Sequence, residues 1–203
     1  LATVARLRLR EGYTGYLHLK LIPGADFEYI ERAVQLADRV SLNLEAPNAG
    51  RLAVLAPDKE FTDNICMRMA RVAELMRRAR FNDWRAARSL TTQFVVGAAG
   101  ETDRELLTTV ARAQRELDLR RAYFSAFHPI ATSPFAELPA EDSVREPGLY
   151  QADFMLRDYG FSVADLPFDR DDRLPRDQTP KQAWAEPYIV LNGRRPPQQL
   201  ALW

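Results

Sequence analysis

Four short stretches of the chain alternate apolar with polar residues, and the segments between them repeat apolar residues every three or four positions. A period of two marks strands and a period near 3.6 marks helices, so the pattern predicts β/α alternation. Residues 15–21, GYLHLKL, form the first predicted strand and close at Ile22-Pro23-Gly24. Residues 26–37 follow as a helix, with Phe27, Ile30, Ala33, Val34 and Ala37 on one face. Residues 39–44 are the second strand and run into Glu45-Ala46-Pro47-Asn48. A loop is expected around residues 52–57, then a long helix over 58–80 and an arginine-rich connection over 81–90.

The next stretch, TTQFVVGAAGETDRELL, joins the signals most tightly. Residues 91–96 are β-branched and apolar, as a buried strand requires. Gly97 and Gly100 bracket a turn at which backbone can approach another molecule, and Thr102 and Glu105 form a capping box for a helix through Leu117. Residues 121–127 give a fourth strand, ending at His128-Pro129. Parallel strands with helical crossovers predict an α/β fold, a partial (βα) TIM-like barrel over residues 1–160. Residues 149–159 read as a helix ending at Gly160. The proline-rich residues 161–203 read as an irregular extension or linker, with Trp184 and Tyr188 as anchors.

Each strand has one polar face. His18 and Lys20 oppose Leu17, Leu19 and Leu21; Ser41, Asn43 and Glu45 oppose Val40, Leu42 and Leu44. Gln93 opposes Phe94 and Val96's face, and Tyr123 and Ser125 oppose Phe124 and Ala126. Parallel sheets covered by helices on both sides are usually apolar on both faces, so this pattern predicts a wet interior that holds a ligand. The alternatives are an incomplete barrel whose polar face meets solvent, a buried Lys20–Glu45 pair of purely structural purpose, because buried charges need partners, and another ligand class such as a sugar phosphate in an aldolase-like barrel.

Composition adds exclusions. The chain has 203 residues and 28 basic against 28 acidic side chains, so no net field draws it to nucleic acid or an anionic membrane. No apolar run approaches the roughly 20 residues of a membrane span, and a cytoplasmic protein without a membrane partner is expected. Leu1 suggests that a longer protein begins upstream. Cys66 is the sole cysteine, which excludes an internal disulfide or a multi-thiolate metal site within this sequence. It sits at helical spacing among Phe61, Ile65, Met69, Val72 and Met76, as a small core residue would. No His, Asp or Glu spacing fits a metal site, so no metal ligand is assigned.

FVVGAAGET resembles the strand and glycine turn of radical S-adenosylmethionine (SAM) enzymes, usually written IVGFPGET, with Ala98-Ala99 in place of Phe-Pro. The stretch GYLHLKLIPGADFEYIERAVQLADRVSLNLEAPN, then LAPDKEF, RAYFSAFHPI and LYQADFMLRDYGF, is similar to the radical SAM proteins described as putative DNA modification or repair enzymes. That resemblance implies reductive cleavage of SAM by a [4Fe–4S] cluster to a 5′-deoxyadenosyl radical, with cluster cysteines upstream of this sequence and a helix-hairpin-helix DNA-binding segment downstream. It implies SAM as cofactor and DNA as partner. Asn43 or Glu45 would meet the SAM amino group or ribose, Gly97 and Ala98 the adenine or ribose, and Lys20, Ser125 and His128 the carboxylate or substrate.

Arg68, Arg71, Arg77, Arg78, Arg80, Arg85 and Arg88, with Trp84 among them, form the strongest charge feature. A solvated helix face explains it, and a nucleic-acid surface is the sharper alternative. Two other readings stay open for the whole chain: a non-catalytic barrel remnant or nucleic-acid-binding module without the cluster, and an unrelated βα-barrel enzyme.

Overall fold

The computed structural model describes residues 1–192. Its four strands, β1 (His18–Lys20), β2 (Arg39–Ser41), β3 (Ser89–Val96) and β4 (Leu119–Ala126), form one all-parallel sheet in the order β1-β2-β3-β4. The mixed α/β class is as expected. Sequential neighbours in a parallel sheet need crossovers, and helices supply them. The register runs Lys20 beside Ser41 and Ser41 beside Thr91. The chain divides into two compact units, Leu1–Phe94 with Arg112–Tyr123, and Val95–Ala111 with Phe124 onward.

In the first unit, α1 (Ala2–Leu9) precedes β1, and α2 (Phe27–Leu36) joins β1 to β2. Ile30, Ala33, Val34 and Leu36 of α2 are buried, the stripe that its periodicity predicted. After β2 come α3 (Ala49–Leu55), a single π-helical turn (Phe61–Cys66) and α4 (Met67–Asn82). α4 buries Met69, Val72, Ala73, Met76 and Ala79, and it packs on α2. The expected loop around residues 52–57 is thus partly helical. Asn48 caps α3 by accepting from the Arg51 N–H at 3.0 Å, and Leu52 alone is buried, so periodicity had too little to register.

In the second unit, the first part of α5 (Asp103–Leu117) opens on the predicted box: Glu105 N–H donates to Thr102 Oγ1 at 3.1 Å and Thr102 N–H to Glu105 Oε2 at 2.7 Å. α6 (Arg145–Tyr159) ends at the left-handed Gly160. Its side chains cover the outer edge of β4. Tyr150 Oη accepts from the Phe124 N–H and donates to the Phe124 carbonyl, both at 3.1 Å, and Glu146 accepts from the Ala126 N–H.

The extension is not irregular throughout. α7 spans Pro180–Asn192. Thr179 and Gln182 build its capping box, with Pro180 at the first helical position, where a missing N–H costs nothing. The Trp184 ring meets Phe161 edge to face at 4.8 Å. The Tyr188 side chain and residues 193–203 lie outside the described residues.

Candidate functional site

Along the first unit's strands the predicted apolar face is buried, but Ser41 and Asn43 of the predicted polar face are buried as well, and Glu45 is bridged to Phe94 of the apolar face. Val40, Leu42, Leu44, Leu90 and Phe94 are buried, whereas Lys20 is exposed and Glu45 and Gln93 are half-buried. Asn43 is buried on the polar side. Lys20, Ser41 and Thr91 make one row across β1, β2 and β3. The Thr91 hydroxyl in that row is buried without a hydrogen-bond partner among the described residues. Asn43 and Gln93 stand one alternation further along, and Glu45 follows at the end, bridged to Phe94.

Glu45 has the least ordinary backbone of this set. Its φ is +64°, and the Ala46 N–H returns to the Leu44 carbonyl at 2.7 Å, which closes a three-residue γ-turn around it. A non-glycine residue held this way stores on the order of 1–3 kcal/mol and persists only where surrounding structure fixes it. The Glu45 N–H supplies one such tie, donating to the Gln93 carbonyl at 2.9 Å. Glu45 Oε1 lies 3.4 Å from Lys59 Nζ. The expected Lys20–Glu45 pair is therefore replaced by Lys59–Glu45. Lys20 is in register with Ser41, four residues short of Glu45, a distance of about 13 Å along a strand. Lys59 reaches Glu45 because the chain folds back after α3.

His18 Nε2 lies 2.9 Å from Ser41 Oγ. Its partial burial, and then Arg39, lower the imidazole pKa, which favours the neutral ring. Arg39 also donates to Ser89 Oγ and stacks on Tyr16.

Gly97, Ala98, Ser125 and His128 belong to the second unit. Gly97 has φ +102°, and its N–H donates to Glu101 Oε1 at 2.6 Å, while the Ala99 N–H donates to Oε2 at 3.2 Å. The Glu101 carboxylate thus satisfies the turn from within. A Cβ on Gly97 would fall about 2.5 Å from Glu141 Oε2, so the close approach that the glycine permits is to Glu141. Ala98 is buried; Ser125 and His128 are exposed.

Glu101 belongs to a buried ionic network that the sequence did not announce. Arg145, only 1% exposed, donates to Asp103 Oδ1 at 2.7 Å, to Glu141 and to the Glu101 carbonyl, and its guanidinium lies 3.2 Å from Glu101 Oε1. Burial alone would lower the Arg145 pKa; Asp103, Glu141 and Glu101 reverse that and hold it above the ordinary arginine value. Asp103 also accepts from the Leu174 N–H at 2.8 Å and faces Arg176 at 3.4 Å. Glu141-x3-Arg145 was legible as an i,i+4 pair, but its partners more than forty residues earlier were not.

Most of the arginine stretch is engaged. Arg71 and Arg78 pair with Glu74, Arg80 with Asp118, and Arg68 donates to the Ala25 and Asp63 carbonyls. Arg77 donates to the Glu116 carbonyl. Cys66 is half-buried, and burial pushes its thiol pKa up against the opposing pull of Arg112.

Among the described residues, no group of three or more His, Cys, Asp or Glu side chains is placed to hold a metal ion, and no helix is long and apolar enough to cross a membrane. Compared with known proteins, the chain matches no family model, no curated protein and no solved structure.

Proposed function

We propose that the chain is the ligand-holding sheet of an enzyme of the radical SAM type that acts in DNA modification or repair, with SAM at the C-terminal ends of β1, β2 and β3. The observation that carries this reading is Glu45: an acidic side chain, in a strained turn, at the strand edge where βα proteins bind ligands. The polar groups nearby suit an adenosyl amino acid. The Glu45 carboxylate accepts from an ammonium or from ribose hydroxyls, Asn43 offers both donor and acceptor, and Lys59 complements a carboxylate. The buried Thr91 hydroxyl, without a hydrogen-bond partner among the described residues, is a further group with capacity to spare. Bound SAM supplies hydrogen-abstraction chemistry when a reducing centre adjoins it. This chain's residues orient it and keep it from water.

The residues present do not fit a [4Fe–4S] cluster. Such a cluster takes three cysteines in this kind of enzyme and the sequence holds Cys66 alone, so no step is drawn through one. The test is calorimetric titration with SAM and with S-adenosylhomocysteine. Glu45→Ala is expected to weaken binding by about 1–3 kcal/mol, the usual loss for a charged hydrogen bond, with little change in melting temperature. Equal affinity in the variant, or no binding by the unmodified chain, would sink the proposal; a large stability loss with unaltered affinity would make Glu45 a structural partner of Lys59.

A further inference from the structure

The N-terminal edge of the sheet carries a different chemistry. Residues 83–88, which join α4 to β3, line a cleft of about 540 Å³ together with Asp38, Met76 and Arg80. Trp84 is 62% exposed on it, and Phe81 beside it in sequence is 90% exposed. The backbone fixes Trp84 there. Asp83 ends α4 in the left-handed conformation, and the Trp84 N–H returns to the Ala79 carbonyl at 2.9 Å.

Three arginines, Arg80, Arg85 and Arg88, line this cleft against two carboxylates, Asp38 and the exposed Asp83. Asp38 is already held by Arg8 at 2.6 Å and by the Leu17 N–H at 2.8 Å, and Arg80 is taken by Asp118. Arg85 lies 3.6 Å from Asp38 and is more than half exposed. The Arg88 side chain has no hydrogen bond or ion pair among the described residues, although its backbone is pinned by the Arg88 N–H to Asp38 carbonyl bond at 2.9 Å. Two guanidinium groups thus share the cleft with an exposed indole, on a connection whose backbone is tied at both ends. A merely solvated helix face would need neither the aromatic exposure nor the cleft.

We propose that this cleft binds a phosphorylated nucleotide, with the base stacked on Trp84 and the phosphate held by Arg85 and Arg88. Guanidinium groups take phosphate oxygens bidentately, and an aromatic face takes any base. The volume lies in the range of ordinary ligand pockets. The nucleotide comes either free or within a single strand, and the inference stands apart from the SAM reading, which concerns the opposite strand ends.

Fluorescence anisotropy with labelled ATP and with a labelled short oligothymidylate, at low and moderate salt, tests it. Arg85→Glu with Arg88→Glu should lower affinity by about tenfold or more and flatten the salt dependence, since each lost phosphate contact removes counterion release. Trp84→Ala should lower affinity several-fold at an unchanged salt slope, about the loss of one stacking contact, and Trp84→Phe should recover most of it. Displacement of both probes by unlabelled ATP identifies a free nucleotide; oligothymidylate binding that ATP does not displace identifies a strand. Should the double variant melt early, Arg88→Gln and the Trp84 pair carry the test. Neither probe binding at low salt, or affinities indifferent to both sets of substitutions, would overturn the proposal.

Discussion

Arg145 Nε donates to Asp103 Oδ1 at 2.7 Å, and both side chains are essentially without solvent. Removing one member of such a set leaves the others charged and unsolvated. Arg145→Met is expected to cost about 3–5 kcal/mol of stability, as breaking a buried ionic cluster does. Denaturant unfolding measures it, and a loss below about 1 kcal/mol would mean that water reaches Glu101 and Asp103.

Acid should weaken the fold through carboxylates held low in the folded state, Asp38 and Glu141 among them. Burial would raise the Asp38 pKa, but the Leu17 N–H and Arg8 outweigh it and hold the group below its ordinary value. Glu141 is likewise held low, burial being outweighed by Arg145 and the Asp142 N–H. A folded-state pKa below the unfolded one adds stability that is present above the unfolded value and is lost as pH falls through the folded value. Stability is therefore expected to be level near neutrality and to decline from about pH 4 downward. Asp38→Asn should flatten part of that decline in pH-dependent melts; an unchanged acid limb would refute the assignment.

Glu45→Gly separates backbone from side chain at one position. Glycine adopts the left-handed conformation readily, so relief of the turn should offset its own entropy cost and leave stability within about 1 kcal/mol. SAM affinity should nevertheless fall as it does for Glu45→Ala. A marked destabilisation would show that the Lys59 contact, rather than the γ-turn, dominates locally.

Tyr150→Phe removes the hydroxyl that serves both polar groups of Phe124. The expected cost is about 1 kcal/mol for each hydrogen bond lost. Hydrogen exchange is the sharper readout: the Phe124 amide should lose protection while that of Phe127, bonded to the Val96 carbonyl, keeps it. Equal protection at Phe124 in both proteins would contradict the structure of this edge.

Cys66 should be a slow nucleophile, because its thiol pKa is raised by burial. Iodoacetamide labelling at neutral pH is expected to be slower than for a free thiol and to accelerate on unfolding. Anaerobic reconstitution with iron and sulfide should yield no cubane cluster on the monomer. About four irons per monomer, with the visible absorbance of a cluster, would contradict the donor count.

The order of elements was legible because strand and helix periods differ and both sides of each crossover are strongly patterned. Ile30, Ala33 and Val34 illustrate it, being predicted and buried together. α3 was hidden because one buried leucine has no period. α7 was hidden by proline count, although Thr179-Pro180-x-Gln182 states its start. The buried Val40, Leu42 and Phe94 near the candidate site were readable, since face alternation needs only local sequence. The γ-turn, Lys59 as partner, and the enclosure of Arg145 by Glu101, Asp103 and Glu141 were not, because each depends on where distant segments meet.

The sealing of β4 by Tyr150 and Glu146 bears on how molecules of this protein meet one another. A strand ladder grows into a fibre only when every copy offers two unpaired edges. Here, among the described residues, β1 pairs with β2 alone, while the outward N–H groups of Phe124 and Ala126 on β4 are already spent on side chains of α6. A second molecule cannot pair along that end of β4 while Tyr150 and Glu146 hold its donors. Loss of the α6 contacts would reopen that end to strand pairing.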